Sequence, residues 1–208
     1  MGRLTIEADH RDGFVDLAPG EWDPAGDVRV SEATGPMLVV EGVVFVDVRL
    51  LGHHATELLG PGDLFPLGAP GSARDGETSM SLLSPARVYV FDGQLELIVA
   101  ERPSFGAQIL KGAAEAKHQQ VLHRALSQLP RVQDRVLGML WSMARRWGTV
   151  GPDGVTLDFE GLTHEMLGRL IGAKRATVTM AVIELEDDGA LRREGRRYVL
   201  DRGTWPAS

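Results

Sequence analysis

The chain has 208 residues, 43% hydrophobic and 25% charged, a composition that supports one large or two small buried cores. It contains no cysteine, which excludes disulfides, thiol catalysis, Cys-ligated zinc and ordinary iron–sulfur clusters. The net charge of −7 is uneven: residues 1–130 carry 10 Lys+Arg against 18 Asp+Glu, and residues 131–208 carry 12 against 11. The acidic part repels nucleic acid, while the arginine-clustered part does not; an unevenly charged solvated surface would give the same counts. No apolar run reaches the roughly 18 residues of a membrane span, and Met1–Glu7 lack a basic-then-apolar secretory pattern. A cytoplasmic protein with no membrane partner is expected.

Residues 14–100 read as β structure. Met37–Val48 is rich in β-branched residues around Gly42, and further runs lie at Ala55–Leu59, Met80–Leu83, Ala86–Phe91 and Gln94–Val99. Short strands divided by Gly, Pro and Asp turns predict a sandwich or barrel. Asp92-Gly93 is a hairpin signal between the last two runs. Pro61–Glu77, with three prolines and four glycines, reads as mostly loop.

The period then changes. From about Ser104 to Leu129 there is no proline, and Ala, Leu, Gln, Lys and Glu dominate, which predicts a helix with Ser104 as its N-cap. Leu110, Ala114, Val121, Leu122, Ala125 and Leu129 give an irregular apolar stripe, interrupted near Lys117 and His118. At about 25 residues and on the order of 38 Å, such a rod suits a spine shared between two subunits; a surface helix on the barrel is the alternative. After Pro130, Val132, Val136, Leu140, Met143 and Trp147 mark an amphipathic helix ending at Gly148. Gly151-Pro152-Asp153-Gly154 is a turn, and Val155–Asp158 a short strand.

Thr163–Leu200 carries the functional signal. Thr163 caps a short helix, His164–Ile171, which Gly172 stops; Ala173-Lys174 start a second helix that runs to Asp188 and stops at Gly189. Two helices across a tight glycine turn form a helix-turn-helix. On the second helix Val178, Ala181, Val182 and Leu185 share an inward face, and Arg175, Ala176, Thr179 and Met180 share the outward face that would enter a DNA major groove. Leu191–Leu200 then reads as two strands around Gly195, with Arg192 and Arg193 on one arm and Arg196 and Arg197 on the other. Such a wing can set guanidinium groups on phosphates. A bare two-helix turn is ordinary packing; here the turn, the basic helix start and the arginine hairpin occur together.

Leu162-Thr163-His164-Glu165-Met166-Leu167-Gly168-Arg169-Leu170-Ile171-Gly172-Ala173-Lys174-Arg175-Ala176-Thr177-Val178 closely resembles the winged helix of the cyclic-AMP receptor protein and fumarate–nitrate regulator (Crp/Fnr) family, as does Leu185–Leu191. Leu17-Ala18-Pro19-Gly20-Glu21 resembles the start of that family's β-roll, and Leu59-Gly60-Pro61-Gly62-Asp63-Leu64-Phe65 its central turn. The resemblance implies an α+β protein: a β-roll sensor over residues 1–103 (a cyclic-nucleotide-binding-like jelly roll), a dimerisation helix over 104–129 and a C-terminal winged helix-turn-helix over 130–208. It also implies a homodimeric, sequence-specific DNA-binding transcription regulator, with RNA polymerase as a possible partner.

The departures from the family bear on mechanism. Members that bind cyclic AMP carry Gly-Glu soon after the central turn, then an Arg followed by a small residue. Here Phe65 is followed by Pro66-Leu67-Gly68-Ala69-Pro70, and Arg74 by Asp75, whose charge would repel a phosphate. The family's hydroxyl pair on the long helix falls at His118-Gln119-Gln120-Val121. Cyclic-AMP responsiveness is therefore not expected, and the sequence names no effector or cofactor. In the reading helix, Arg175 stands at the family's guanine-reading arginine, which suits guanine's two major-groove acceptors. Ala176 and Met180 replace a glutamate and a second arginine, and could touch a thymine methyl instead. Lys174 replaces the usual Ser or Thr cap and offers a phosphate contact. The expected DNA-binding residues are Thr163, Arg169, Lys174, Arg175, Ala176, Thr179, Met180, Arg192, Arg193, Arg196 and Arg197.

Other signals are weaker. His53-His54 is expected in a solvent-exposed loop, since adjacent strand residues face opposite sides and cannot share an ion. His118 and His123 stand about 140° apart on a helix. His164-Glu165 begins like a zinc-protease motif, but position 168 is Gly. Trp141 and Trp147 are expected to pack in the core. Nothing argues for catalysis or a metal. Rival readings are a constitutive or protein-controlled regulator with a degenerate roll, a cupin-type β-barrel enzyme with an appended reader, and a winged helix that binds protein through Met180 and Ile183.

Overall fold

A computed structural model describes residues 13–204 except Ala25, Glu32, Thr34, 67–76, Asp92, Gln94 and Glu160. The chain divides into two compact units, Met1–Lys117 and His118–Ser208.

The first unit holds eight described strands: β1 Phe14–Leu17, β2 Gly20–Trp22, β3 Pro36–Glu41, β4 Val44–Leu50, β5 His53–Leu59, β6 Leu64–Pro66, β7 Glu77–Leu82 and β8 Ala86–Val90. They form two antiparallel sheets, ordered β1-β8-β3-β6 and β2-β7-β4-β5. The two-residue side-chain period sorts the residues. Met37, Val39, Val88 and Val90 enter one core with Val44, Val46, Met80 and Leu82 from the second sheet. Leu38 and Tyr89, between them in sequence, point the other way into a second cluster with Phe91, Ile98 and Phe105. Tyr89 packs edge-on against Phe14 and Phe91, ring centroids 5.0 and 4.8 Å away. At the expected central turn, the buried Asp63 carboxylate accepts the Gly60 N–H at 2.8 Å, the Val39 N–H donates to the Asp63 carbonyl at 2.9 Å, and the Val39 carbonyl accepts the Gly62 N–H at 2.9 Å.

Three local expectations are corrected. The expected strand Gln94–Val99 is corrected over its described residues: helix α1 spans Leu95–Glu101. A strand would put Leu95, Leu97 and Val99 on one face, but Leu97 is exposed and Ile98 is buried. Leu95, Ile98 and Val99 pack together at helical spacing, so the turn at Gly93 leads into a helix rather than a hairpin. His53 and His54 do not lie in a loop. They begin β5, paired with Leu50 and Arg49, and His54 is exposed. Ser104 is not a cap, because helix α2 spans Pro103–Ser127 and begins one residue before it. Pro103 occupies the first helical position, where its missing N–H costs nothing, and the Arg102 carbonyl accepts from Phe105 at 2.9 Å.

On α2, Phe105 and Ile109 pack into the second cluster of the first unit. The opposite line, Ala107, Leu110, Ala114, Lys117, Val121 and Ala125, is exposed along the whole helix. No helix of the described residues is long and apolar enough to cross a membrane.

The second unit contains helix α3 Val132–Trp147, strands β9 Thr149–Gly151 and β10 Gly154–Leu157, helices α4 His164–Ile171 and α5 Arg175–Asp187, and strands β11 Leu191–Glu194 and β12 Arg197–Leu200. The strands form one antiparallel sheet, β11-β12-β10-β9. Val136, Met139, Leu140 and Met143 of α3 are buried, as are Leu167 and Ile171 of α4 and Val178, Ala181, Val182 and Leu185 of α5. Trp141 is buried, whereas Trp147 is half-buried and packs edge-on against Phe159 at 5.3 Å.

A polar network ties the end of α2 to α3. The buried Ser142 hydroxyl donates to Gln119 Oε1 at 2.9 Å, so it accepts from His123 Nε2–H at 3.1 Å. Burial, and then the Arg146 guanidinium, hold His123 below the ordinary 6.5. His164 is likewise lowered by burial and then by Arg193 and Arg175. As pH falls through 6.5 the unfolded chain takes up these protons first, so stability is complete above that value and declines below it. The urea midpoint should be lower at about pH 5.5 than at about pH 7.5, and His123→Gln, which keeps a donor where Nε2 stood, should shrink the difference. An unchanged pH dependence in that variant would exclude His123 as a source.

Candidate nucleic-acid interface

The helix-turn-helix is built from its termini. Thr163 is extended (φ −88°, ψ 163°), and its hydroxyl accepts the Met166 N–H at 3.2 Å, capping α4. Gly172 closes α4 in the left-handed region at φ 67°, where a side chain would be strained. The following turn lies tight against α4: a Cβ on Gly168 would come within 2.4 Å of the Ala173 carbonyl oxygen. Arg135 of α3 donates to the Ile171 carbonyl at 3.2 Å, satisfying an orphan group at the end of α4.

Lys174 starts α5 in extended conformation and makes no side-chain cap bond. Lys174, Arg175, Ala176 and Thr177 are exposed; Met180 and Ile183 keep 57% and 44% of their surface, a large apolar exposure for a helix otherwise bedded in a core. Thr179 is only half-exposed. Its hydroxyl donates to the Arg175 carbonyl at 3.0 Å and meets His164 Nδ1 at 2.9 Å. Arg169 lies exposed on α4, with Nη1 3.8 Å from Met166 sulfur.

The wing is the hairpin of β11 and β12, turned by Gly195 at φ 64°. Leu191 and Tyr198 face the core, and Arg192, Arg193, Arg196 and Arg197 are exposed. Two of these arginines are ion-paired. Arg192 Nη2 lies 2.7 Å from Glu194, and Arg197 Nε lies 2.8 Å from Asp158. Both pairs are more than half exposed on each side and so contribute little to folding. Arg193 stands over the Tyr198 ring at 5.9 Å, and its backbone N–H donates to Glu186 of α5 at 3.1 Å. After burial, the charges of Arg193 of the wing and Arg175 of the helix both hold His164 below its ordinary pKa, so these two side chains lie near it.

Most expected DNA-binding residues thus gather on the helix-turn-helix and wing. Sequence reasoning missed the hydrogen bond from His164 to Thr179 and the carboxylates that hold Arg192 and Arg197. The cyclic-nucleotide positions at Leu67–Pro70, Arg74 and Asp75 lie outside the described residues. Among the described residues no group of three or more His, Asp or Glu is gathered as a metal site.

Known proteins match this geometry. Residues 134–204 match the Crp-like helix-turn-helix domain. A CRP-like cAMP-activated global transcriptional regulator of Mycobacterium tuberculosis is 26% identical over 147 residues, 69% of this chain and 64% of that protein. The chain therefore spans just under two thirds of the length of the curated relatives it matches. Among solved structures, a cyclic nucleotide-binding domain containing protein of Listeria monocytogenes superposes with TM-score 0.73 at 14% identity, covering 95% of this chain and 94% of that one. A CooA variant from Carboxydothermus hydrogenoformans gives 0.68 at 19%, covering 90% and 82%. At these identities the structural likenesses establish the fold: a β-roll, a long helix and a winged helix-turn-helix.

Proposed function

We infer that this chain, a member of the Crp family of transcription regulators with a helix-turn-helix DNA-binding domain, binds a specific DNA sequence as a homodimer and is not driven by cyclic AMP. The observation that carries the reading is an exposed basic helix start, Lys174 and Arg175, together with a wing of exposed arginines of which Arg193 lies, with Arg175, close enough to act on His164. Arg175 reads a guanine with its planar donor fork, and Ala176 and Met180 lie against neighbouring bases. Thr163, Arg169, Lys174, Arg192, Arg193, Arg196 and Arg197 hold phosphates; the Thr163 hydroxyl, already accepting from Met166, still has its hydrogen to donate. Two chains pair along α2, setting two reading helices about 34 Å apart, one turn of DNA. The protein is cytoplasmic and has no catalytic role. The relative's cAMP activation does not transfer, because the residues after Phe65 lack the Gly-Glu and Arg-small pattern such binding needs. The roll then takes another small molecule, takes a protein, or serves as scaffold for a constitutive regulator.

Selection from random duplexes, with solution mass measured in parallel, tests this. A dimer that enriches a two-fold symmetric site supports it. A monomer that retains no duplex in dilute buffer overturns it. A dimer that captures protein but enriches no site would move the function to the apolar Met180 and Ile183 face.

The paired wing arginines give a further expectation. Asp158→Asn releases Arg197 and removes a negative charge from the surface that would meet phosphates. Affinity for random duplex, read by fluorescence anisotropy at fixed salt, should rise a few-fold. An unchanged or weaker affinity would place Arg197 outside the contact surface.

A further inference from the structure

The bond between His164 and Thr179 joins the first residue of α4 to the exposed turn of α5, and its proton positions can be assigned. Thr179 has one hydroxyl hydrogen, and it is directed at the Arg175 carbonyl 3.0 Å away. The Thr179 oxygen must then accept from His164, whose Nδ1 lies 2.9 Å away, so Nδ1 carries the proton. A second observation agrees. His164 Nε2 is buried and has no hydrogen-bond partner among the described residues. A bare lone pair there is tolerated more readily than an orphaned N–H. The two constraints select the same tautomer, the one opposite to the Nε2–H form that free histidine favours.

We propose that His164 is a positioning residue of the reading helix: its Nδ1–H holds Thr179, Thr179 holds the carbonyl of Arg175, and one imidazole of α4 thereby sets the first turn of α5. A threonine that bonds back to the i−4 carbonyl tends to bend a helix. Here the same hydroxyl is also anchored from a neighbouring helix, which ties this turn of α5 to α4. The residue that launches the guanidinium is the residue whose carbonyl is gripped. Thr179 accordingly has no hydrogen left to give a base, and shapes recognition from beneath the reading face. The consequence for DNA rests on the function proposed above; the clamp itself does not.

Three variants separate this role from bulk packing. Asn at 164 can present an amide donor where Nδ1 stands, Gln presents one where Nε2 stands, and Thr179→Val removes the hydroxyl at constant shape. In the free protein, nitrogen NMR should find His164 protonated at Nδ1. Amide exchange at residues 178–179 should stay slow in His164→Asn and quicken about fivefold in His164→Gln and Thr179→Val, the worth of one hydrogen bond. On a duplex selected with the unaltered protein, the ratio of specific to random affinity should fall by a similar factor in the latter two and hold within about twofold in His164→Asn. An Nε2–H tautomer, or equal exchange in Asn and Gln variants, overturns the clamp. If the unaltered protein retains no duplex, the DNA reading fails while tautomer and exchange still decide the clamp.

Discussion

Arg175→Ala should abolish sequence discrimination while leaving much of the binding in place. A bidentate arginine on guanine is worth about 1–3 kcal/mol against the wrong base, roughly 5- to 150-fold for each half-site. A two-fold site engages two copies, so the loss on a selected duplex should run on the order of 10²- to 10⁴-fold. Affinity for random duplex should change only slightly, because phosphate contacts supply it. The salt dependence separates the two kinds of contact. If the dimer makes about eight phosphate contacts, raising salt from about 50 to 200 mM should cost on the order of 10³- to 10⁵-fold in affinity, in the variant as in the parent. Substituting Arg193 or Lys174, by contrast, should shallow the salt slope by about one per phosphate lost. Equal loss on selected and random duplexes would show that Arg175 holds backbone and reads no base.

The residues that made this surface legible are those whose roles are set locally. Thr163 caps and Gly172 stops α4 through bonds to residues within one turn. Val178, Ala181, Val182 and Leu185 are sorted inward by the 3.6-residue period alone. Short strands with turn residues between them gave the roll its character before any pairing was known. The errors arose where two periods fit the same letters. Leu95, Leu97 and Val99 alternate, but Leu95, Ile98 and Val99 also lie on a helical face, and the cluster around Phe91 and Phe105 decides for the helix. The remaining features depend on distant partners. Asp158 meets Arg197 39 residues away, and His164 meets Thr179 15 away across a helix crossing. Neither follows from spacing: the first needs the register of β10 on β12, which sets Leu157 opposite Tyr198, and the second the packing of α4 on α5. Their effects matter most for the proposed reading surface: one would set whether Arg197 can meet a phosphate, the other where the first turn of α5 points.

The proposed two-fold arrangement turns on α2. Its exposed line, at 107, 110, 114, 117, 121 and 125, steps by three and four residues, the spacing of a seam between paired helices. Leu110 and Val121 leave 73% and 61% of their surface to solvent in the single chain, an apolar exposure that pairing would bury. Lys117 interrupts the seam midway, which weakens it and helps to fix its register. In a parallel pair each seam residue faces its own copy, so Leu110→Glu with Val121→Glu would set carboxylates against carboxylates. Both sites are exposed, so the folded chain should lose no more than about 0.5 kcal/mol at each. Dimerisation should fail, and with it the advantage of engaging two half-sites at once, about 10²- to 10⁴-fold in affinity for the selected duplex. Sedimentation at micromolar protein, melting temperature and duplex titration read the three quantities separately. A variant that melts as the parent does, sediments as a monomer and binds the selected duplex at full affinity would mean that one reader suffices, and the seam would then need another occupant. A variant that remains dimeric would move the two-fold contact off this helix altogether.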